Sequence, residues 1–274
     1  MADSANNADN TIGTPTAIKV VDGFFTLLPQ TEKSSASLFK QFKLTPTSWT
    51  EFRQKFEEET KFSGRNIKMV LLVRHGEGLH NQAIKKYGSE RWYKELVFSD
   101  VYRDADLTSH GIQDAKSKGP PIIKAELERG MPLIERIIVS PISRAIQTAQ
   151  YFFGKDQIAN TPFICMETCR EHLGVDTCNN RRSLSELKLK FPDVDFSAVK
   201  HEEDMLWLPD KRESDEEIQT RAKAFVLELF TTIPEQHVAV VTHFGFIQAV
   251  CATTLGTKIE ADKCEVVPLV LEAI

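Results

Sequence analysis

Residues 69–75, Met-Val-Leu-Leu-Val-Arg-His, form an apolar run closed by an arginine and a histidine. Two later runs close in a similar way. Ile137–Val139 leads into Ser140, Pro141 and Arg144, and Val238–Val241 leads into Thr242 and His243. Each run is too short for a helix, and together they are rich in β-branched residues, which is the pattern of parallel strands buried on both faces. Helical periods lie between them. Ile142, Ala145, Ile146, Ala149 and Phe153 keep one face, with Ser140 read as the cap and Pro141 as the first helical residue. Ile218, Ala222, Phe225, Val226 and Leu229 precede the third run, and Phe246, Ile247, Val250 and Thr254 follow it. Strands alternating with helices predict an α/β domain whose mostly parallel sheet carries helices on both faces. Residues 264–271 (Cys-Glu-Val-Val-Pro-Leu-Val-Leu) predict an added edge strand, where Pro268 is tolerated.

In an open parallel sheet, ligands bind beyond the carboxyl ends of the strands. If the three runs are neighbours, Arg74, His75, Arg144 and His243 converge there with a helix N-terminus. The planar fork of arginine suits phosphoryl oxygens, and helix N–H groups add neutral donors. The predicted pocket is one for phosphate.

The stretch Leu72-Val-Arg-His-Gly-Glu-Gly-Leu-His-Asn81 resembles the RHG signature of the histidine phosphatase superfamily, also called the phosphoglycerate mutase-like fold. Asp104-Ala-Asp-Leu-Thr-Ser-His-Gly111, Ser140-Pro-Ile-Ser-Arg-Ala-Ile-Gln-Thr-Ala149 and Val241-Thr-His-Phe-Gly245 match the family pattern in order. RHGEGLHN and CREHLGVDTCNNRRSLSEL further resemble the fungal and plant phosphomutase-like branch. The resemblance implies a three-layer α/β/α sandwich over about residues 66–274. It implies a phosphohistidine on His75, a phosphate clamp of Arg74, Arg144 and His243, and an amide contact from Asn81. It places the proton donor on a loop beyond the second arginine, where Glu171 fits and Glu167 is the rival; the role calls for a carboxyl pKa raised by partial burial. Arg181 and Arg182 are candidate substrate contacts, weighed against a solvated turn before a helix capped at Ser183. Glu171 and His243 stand only 72 positions apart. Phosphoglycerate mutases of the family carry a longer insertion there, so the spacing favours a phosphatase. A phosphomutase and a noncatalytic phosphate-binding scaffold are the alternatives.

The 274 residues carry 34 Lys plus Arg against 39 Asp plus Glu, a net charge of -5, with 41% hydrophobic, 27% charged and 9% aromatic residues. That is enough apolar surface for a core, and it argues against nucleic acid or an anionic membrane as partner. A small phosphorylated molecule is the expected partner, without metal or cofactor. Cys165, Cys169, His172 and Cys178 lie close in sequence, but their spacing does not match paired zinc knuckles, and inert buried thiols are expected. Residues 1–17 predict a disordered tail, and 18–65 a strap on the main domain of 66–274 whose Trp49, Phe52 and Phe56 share a helical face capped by Thr47 or Ser48. The stretch 201–217 reads as a lid or a charged surface loop. No signal peptide or membrane span is recognised, so the cytosol is the expected compartment, with the nucleus as a second one that it could share.

Overall fold

The computed structural model describes residues 15–32, 37–158, 161 and 163–274; most of the expected tail, residues 1–14, lies outside them. Along the chain come β1 (Ile18–Val20), β2 (Phe25–Leu27), β3 (Phe42–Leu44), α1 (Trp49–Glu57), β4 (Ile67–Arg74), α2 (Leu79–Tyr87), α3 (Ser89–Lys94), α4 (Ser109–Lys118) and α5 (Pro120–Glu128). They are followed by β5 (Arg136–Val139), α6 (Ser143–Ile158), β6 (Phe163–Cys165), α7 (Leu184–Lys190), β7 (Val194–Asp195), α8 (Asp215–Thr232), β8 (His237–Thr242), α9 (Phe244–Thr254) and β9 (Val266–Ala273). The central sheet has the order β1-β9-β4-β8-β5-β6-β7. The pairs β4–β8, β8–β5, β5–β6 and β6–β7 are parallel, whereas β9 runs antiparallel to β4 and β1. With α4, α5 and α6 packed together and α8 and α9 packed together, the architecture is the three-layer α/β/α sandwich.

The three apolar runs are thus adjacent strands, and Met69–Val73, Ile137–Val139 and Val238–Val241 are all buried, which is why their sequences show no alternation. The expected edge strand is instead interior: β9 is flanked by β4 and, on its other side, by β1. Pro268 is accommodated for a reason the sequence hid. Val21 N–H donates to Val270 O, so by strand alternation the Pro268 nitrogen faces the same side, past the end of β1, and no ladder bond to β4 is lost.

The described residues between 18 and 57 share the main core through rings that meet mostly edge to face, including Phe24 and Phe52 at 5.0 Å and Trp49 and Phe52 at 5.1 Å. Ser48, not Thr47, caps α1 by accepting from Glu51 N–H, while Thr47 donates to the Glu51 carboxylate. Among the described residues, no helix is long and apolar enough to cross a membrane.

Candidate active site

The parallel register sets Arg74 beside Thr242 and Val139 beside Val241, so His75, His243 and Ser140 emerge next to one another, one residue past the ladder. The His75 Nδ1 lies 2.6 Å from Gly76 O. A carbonyl only accepts, so Nδ1 carries the hydrogen and the Nε2 lone pair is free to receive Arg144 Nε–H at 3.2 Å. The rest of the Arg144 guanidinium donates to Cys178 O (2.6 Å), Asn179 Oδ1 (2.8 Å) and His243 Nδ1 (3.2 Å). His243 therefore accepts at Nδ1 and donates from Nε2 to Ser140 Oγ at 2.8 Å. Burial, reinforced by the charge of Arg144, pushes both imidazoles well below their ordinary pKa, so the two rings, 5.1 Å apart, are neutral.

Ser140 thus serves His243 and does not cap a helix that starts at Pro141. The helix begins at Ser143, and its cap comes from elsewhere in the chain: Ser143 N–H donates to Asp104 Oδ1 (2.7 Å) and Ser143 Oγ to Oδ2. Asp104, the first residue of the second family-like stretch, orients the turn that carries Arg144. It does so at φ 46°, in the left-handed region, and burial lifts its carboxyl to about 6. The RHG loop is pinned from two sides. Gly76 N–H donates to Thr148 Oγ1 (2.9 Å), and the loop lies so close to α4 that a Cβ at Gly111 would overlap the Glu77 backbone. Arg74 stacks on Phe244 with 4.6 Å from its guanidinium carbon to the ring centroid, and donates to Ala261 O at 2.7 Å. Asn81 holds the Gly78 N–H with Oδ1, leaving its NH₂ as the free donor.

Glu171 reaches the same pole from the loop after β6. Its Oε2 accepts Gly245 N–H (3.1 Å) at the start of α9, and its Oε1 accepts from His172 N–H (3.0 Å) and lies 3.2 Å from His172 Nδ1. The expected upward shift of its pKa is reversed. Burial alone would raise it, but the hydrogen bonds from His172 and Gly245 and the charge of His172 hold the carboxyl well below its usual range. A side chain at Gly245 would overlap the carboxylate and come within 2.6 Å of the His172 ring.

One expected contact is corrected. Arg181 is buried and spends all five N–H donors inside the protein, on Glu167 Oε1 (2.7 Å) and on the carbonyls of Arg182, His201, Glu202 and Glu203. Nothing remains for a substrate. Arg182 is partly exposed and stands at ion-pair distance from Asp104 (Nε to Oδ2, 3.3 Å) with no hydrogen bond between them. The rival acid Glu167 is neither free nor solvated, since it is the counter-ion of Arg181. The stretch 201–217 is mostly exposed, as a charged surface loop would be, and forms a wall tied to the acid loop: Asp204 pairs with Arg170 at 2.6 Å, Leu208 O accepts Val175 N–H, and Glu213 accepts Leu173 N–H. Arg221 ties the acid loop to α8 through the carbonyls of Thr168, Arg170 and Glu171.

Among the described residues, no group of three or more His, Cys, Asp or Glu side chains converges as a metal site. Cys165, Cys169 and Cys178 are buried thiols, and burial pushes that of Cys178 up to about 12. Asp104, Asn179, His172 and Gly245 escaped the sequence reading as site residues. So did His80, a buried ring 5.8 Å from His75 with no hydrogen-bond partner at Nδ1 among the described residues. All five stand inside the quoted motifs, but the contacts of Asp104 with Ser143 and of Asn179 with Arg144 join residues distant in sequence.

Comparison with known proteins agrees with this arrangement. The profile of the histidine phosphatase superfamily (branch 1) matches residues 70–269. Phosphoglycerate mutase-like protein 1 of Arabidopsis thaliana is 37% identical over 205 residues, covering 66% of this chain and 69% of that protein. A probable phosphoglycerate mutase of Arthroderma benhamiae is 30% identical over 236 residues, covering 82% and 70%. Among solved structures, the ecdysone phosphate phosphatase of Bombix mori in complex with tungstate shares the fold at a TM-score of 0.51 and 16% identity, covering 73% of this chain and 88% of that one.

Proposed function

The chain belongs to the histidine phosphatase superfamily (branch 1), and from that premise we propose a metal-independent phosphatase that hydrolyses phosphomonoesters through a phosphohistidine on His75, with Glu171 as the proton donor. The observation that carries the reading is the His75 ring. Its Nδ1–H is locked on Gly76 O, so the tautomer with a nucleophilic Nε2 is set before substrate arrives. Arg144 and Arg74 supply positive charge at the same pole, where the equatorial oxygens of a loose phosphoryl-transfer transition state need it. Asn81 contributes a neutral donor to the clamp, and His243, held between Arg144 and Ser140, lines it. In the first step the Nε2 lone pair forms the N–P bond while the leaving oxygen takes a proton through Glu171. In the second, water attacks phosphorus, gives its proton to the Glu171 carboxylate and releases phosphate from His75.

Hydrolysis is favoured over mutase chemistry by the fate of Arg181. Returning a phosphoryl group to a retained, doubly anionic intermediate calls for a second anion clamp. Of the arginine pair best placed in sequence to form one, Arg181 is committed in full to Glu167 and backbone carbonyls. The test is a base quench during turnover of a phosphorus-labelled monoester. Label should be retained by the wild-type chain on the His75 peptide and be absent from His75→Ala. Activity in His75→Ala would overturn the covalent route, and a requirement for a bisphosphate primer would replace the phosphatase by a mutase.

A further inference from the structure

A donor that resides as a carboxylate has no proton to give, and Glu171 is held in that form by its neighbours. The adjoining side chain resolves the difficulty. His172 Nδ1 lies 3.2 Å from Glu171 Oε1, and its backbone N–H bonds the same oxygen, so ring and carboxylate are fixed against one another. Gly245 leaves no room for them to part on the α9 side. The far ring nitrogen, Nε2, lies 3.7 Å from Asp215 Oδ1, beside a small cavity of about 20 Å³ lined by Gln219, Gln248 and Lys258 among others. That volume suits one water molecule, and Asp215 is open to solvent.

We propose that the proton destined for the leaving group is stored on His172 and reaches the substrate through Glu171, so that the two neighbours work as one acid. His172 is then a positioning residue that acts through Glu171. The inference rests on the phosphatase reading above. The balance is simple. When the dianionic phosphoryl group enters, the Nδ1–H bond of His172 breaks and an O–H bond forms on Glu171, which converts an imidazolium–carboxylate pair into a neutral pair of unchanged total charge. The carboxyl hydrogen passes to the bridging oxygen as its bond to phosphorus breaks. In the second step the proton taken from water by Glu171 returns to Nδ1.

The surroundings of His172 favour its charged form. Glu171 faces it from its own loop, Asp215 from the start of α8 and Glu213 from the segment before α8; all three are acidic. Against them stand Arg212, bound to Asp176 at 2.7 Å, and Lys258, bound to Asp215 at 3.0 Å. The hydrogen bond to Glu171 outweighs burial, and the pKa of the imidazole is raised above 6.5. The substrates that depend on this store are esters of alcohols with poorly acidic hydroxyls, because nitrophenol leaves without a proton.

The test compares an alkyl phosphate with nitrophenyl phosphate in three proteins across pH 5–9. Wild type should hold its kcat/KM on the alkyl ester until His172 loses its proton. His172→Asn, which keeps an N–H toward Glu171 but cannot titrate, should move that alkaline limb down by more than about one pH unit. At pH 7.5 it should lose about 30-fold on the alkyl ester and about threefold on the nitrophenyl ester. An unmoved limb would overturn the proposal. Glu171→Gln separates the two layers: equal losses on both esters would remove Glu171 as the acid and with it the phosphatase reading, whereas a selective loss beside an unmoved His172→Asn limb would remove only the role of His172. Should the Asn variant fail to bind vanadate, His172→Gln takes its place. Nitrogen NMR of wild type gives an independent arm: a His172 ring protonated on both nitrogens at pH 6.5 is expected, and a neutral ring would refute the store.

Discussion

Arg144 and Arg181 are equally buried, at 1% and 0% exposure, and lie on two sides of the same loop. Arg144, on the floor of the site, gives its hydrogen bonds to neutral groups, two imidazoles, a carbonyl and an amide oxygen, with no carboxylate in direct contact. Arg181, in the wall, faces the Glu167 carboxylate and four carbonyls. A desolvated cation without a carboxylate is costly to the fold and attractive to an anion; one with a carboxylate and no spare donor is a cross-link. The company an arginine keeps therefore separates binding from scaffolding where exposure does not.

The comparison can be broken most directly at Arg144. Arg144→Met should lower turnover of nitrophenyl phosphate about 10⁴-fold, about 5.5 kcal/mol of transition-state stabilisation. Its calorimetric midpoint should hold or rise, because a buried charge with no carboxylate partner has been removed. Arg181→Met should do the reverse. It strands Glu167, so urea unfolding should show a loss of about 3–5 kcal/mol, while kcat of the folded fraction stays within about threefold. Activity lost with stability intact would make Arg181 a substrate ligand after all.

A smaller effect is expected at Asp104. The folded protein keeps a proton there between pH 3.8 and about 6 that the unfolded chain has released, so stability falls as pH rises through that window. Asp104→Asn should flatten this slope by about 2 kcal/mol in urea titrations at pH 4 and 6.5. The smallest effect is that of Gly245→Ala, about 1–2 kcal/mol of crowding against Glu171. It should appear as slower turnover of alkyl phosphates more than of nitrophenyl phosphate, and equal slowing would detach Gly245 from the acid.

The floor was legible because it is written in consecutive residues. Strands buried on both faces must be continuous apolar runs, and the residue after each run must sit at the sheet's carboxyl edge, so His75, Arg144 and His243 could be brought together before any fold was known. The wall was not legible. Arg181-Arg182 looks like a surface pair because nothing local reveals that four carbonyls from 182–203 and Glu167 consume every donor of the first. The misplacement of β9 has the same origin: Pro268 signals an unpaired side, but the strand that ends short of it begins 250 residues earlier, at Ile18. Ser140 was read as a local cap because Ser-Pro is a local signal, whereas Asp104 supplies the cap from 39 residues away.

Strand β4 leads directly into His75, and both strands that flank it, β8 and β9, come from residues 237–273. During synthesis the segment Ile-Lys-Met-Val-Leu-Leu-Val-Arg leaves the ribosome with neither neighbour yet made. At 5–20 residues per second it waits about 10–40 s for the second of them. Until β8 is made it is an apolar ribbon with two open edges, the form most prone to pair with another chain. The cell must guard this long apolar strand while the rest of the sheet is being made, so yield in a host poor in chaperones should be limited by this segment.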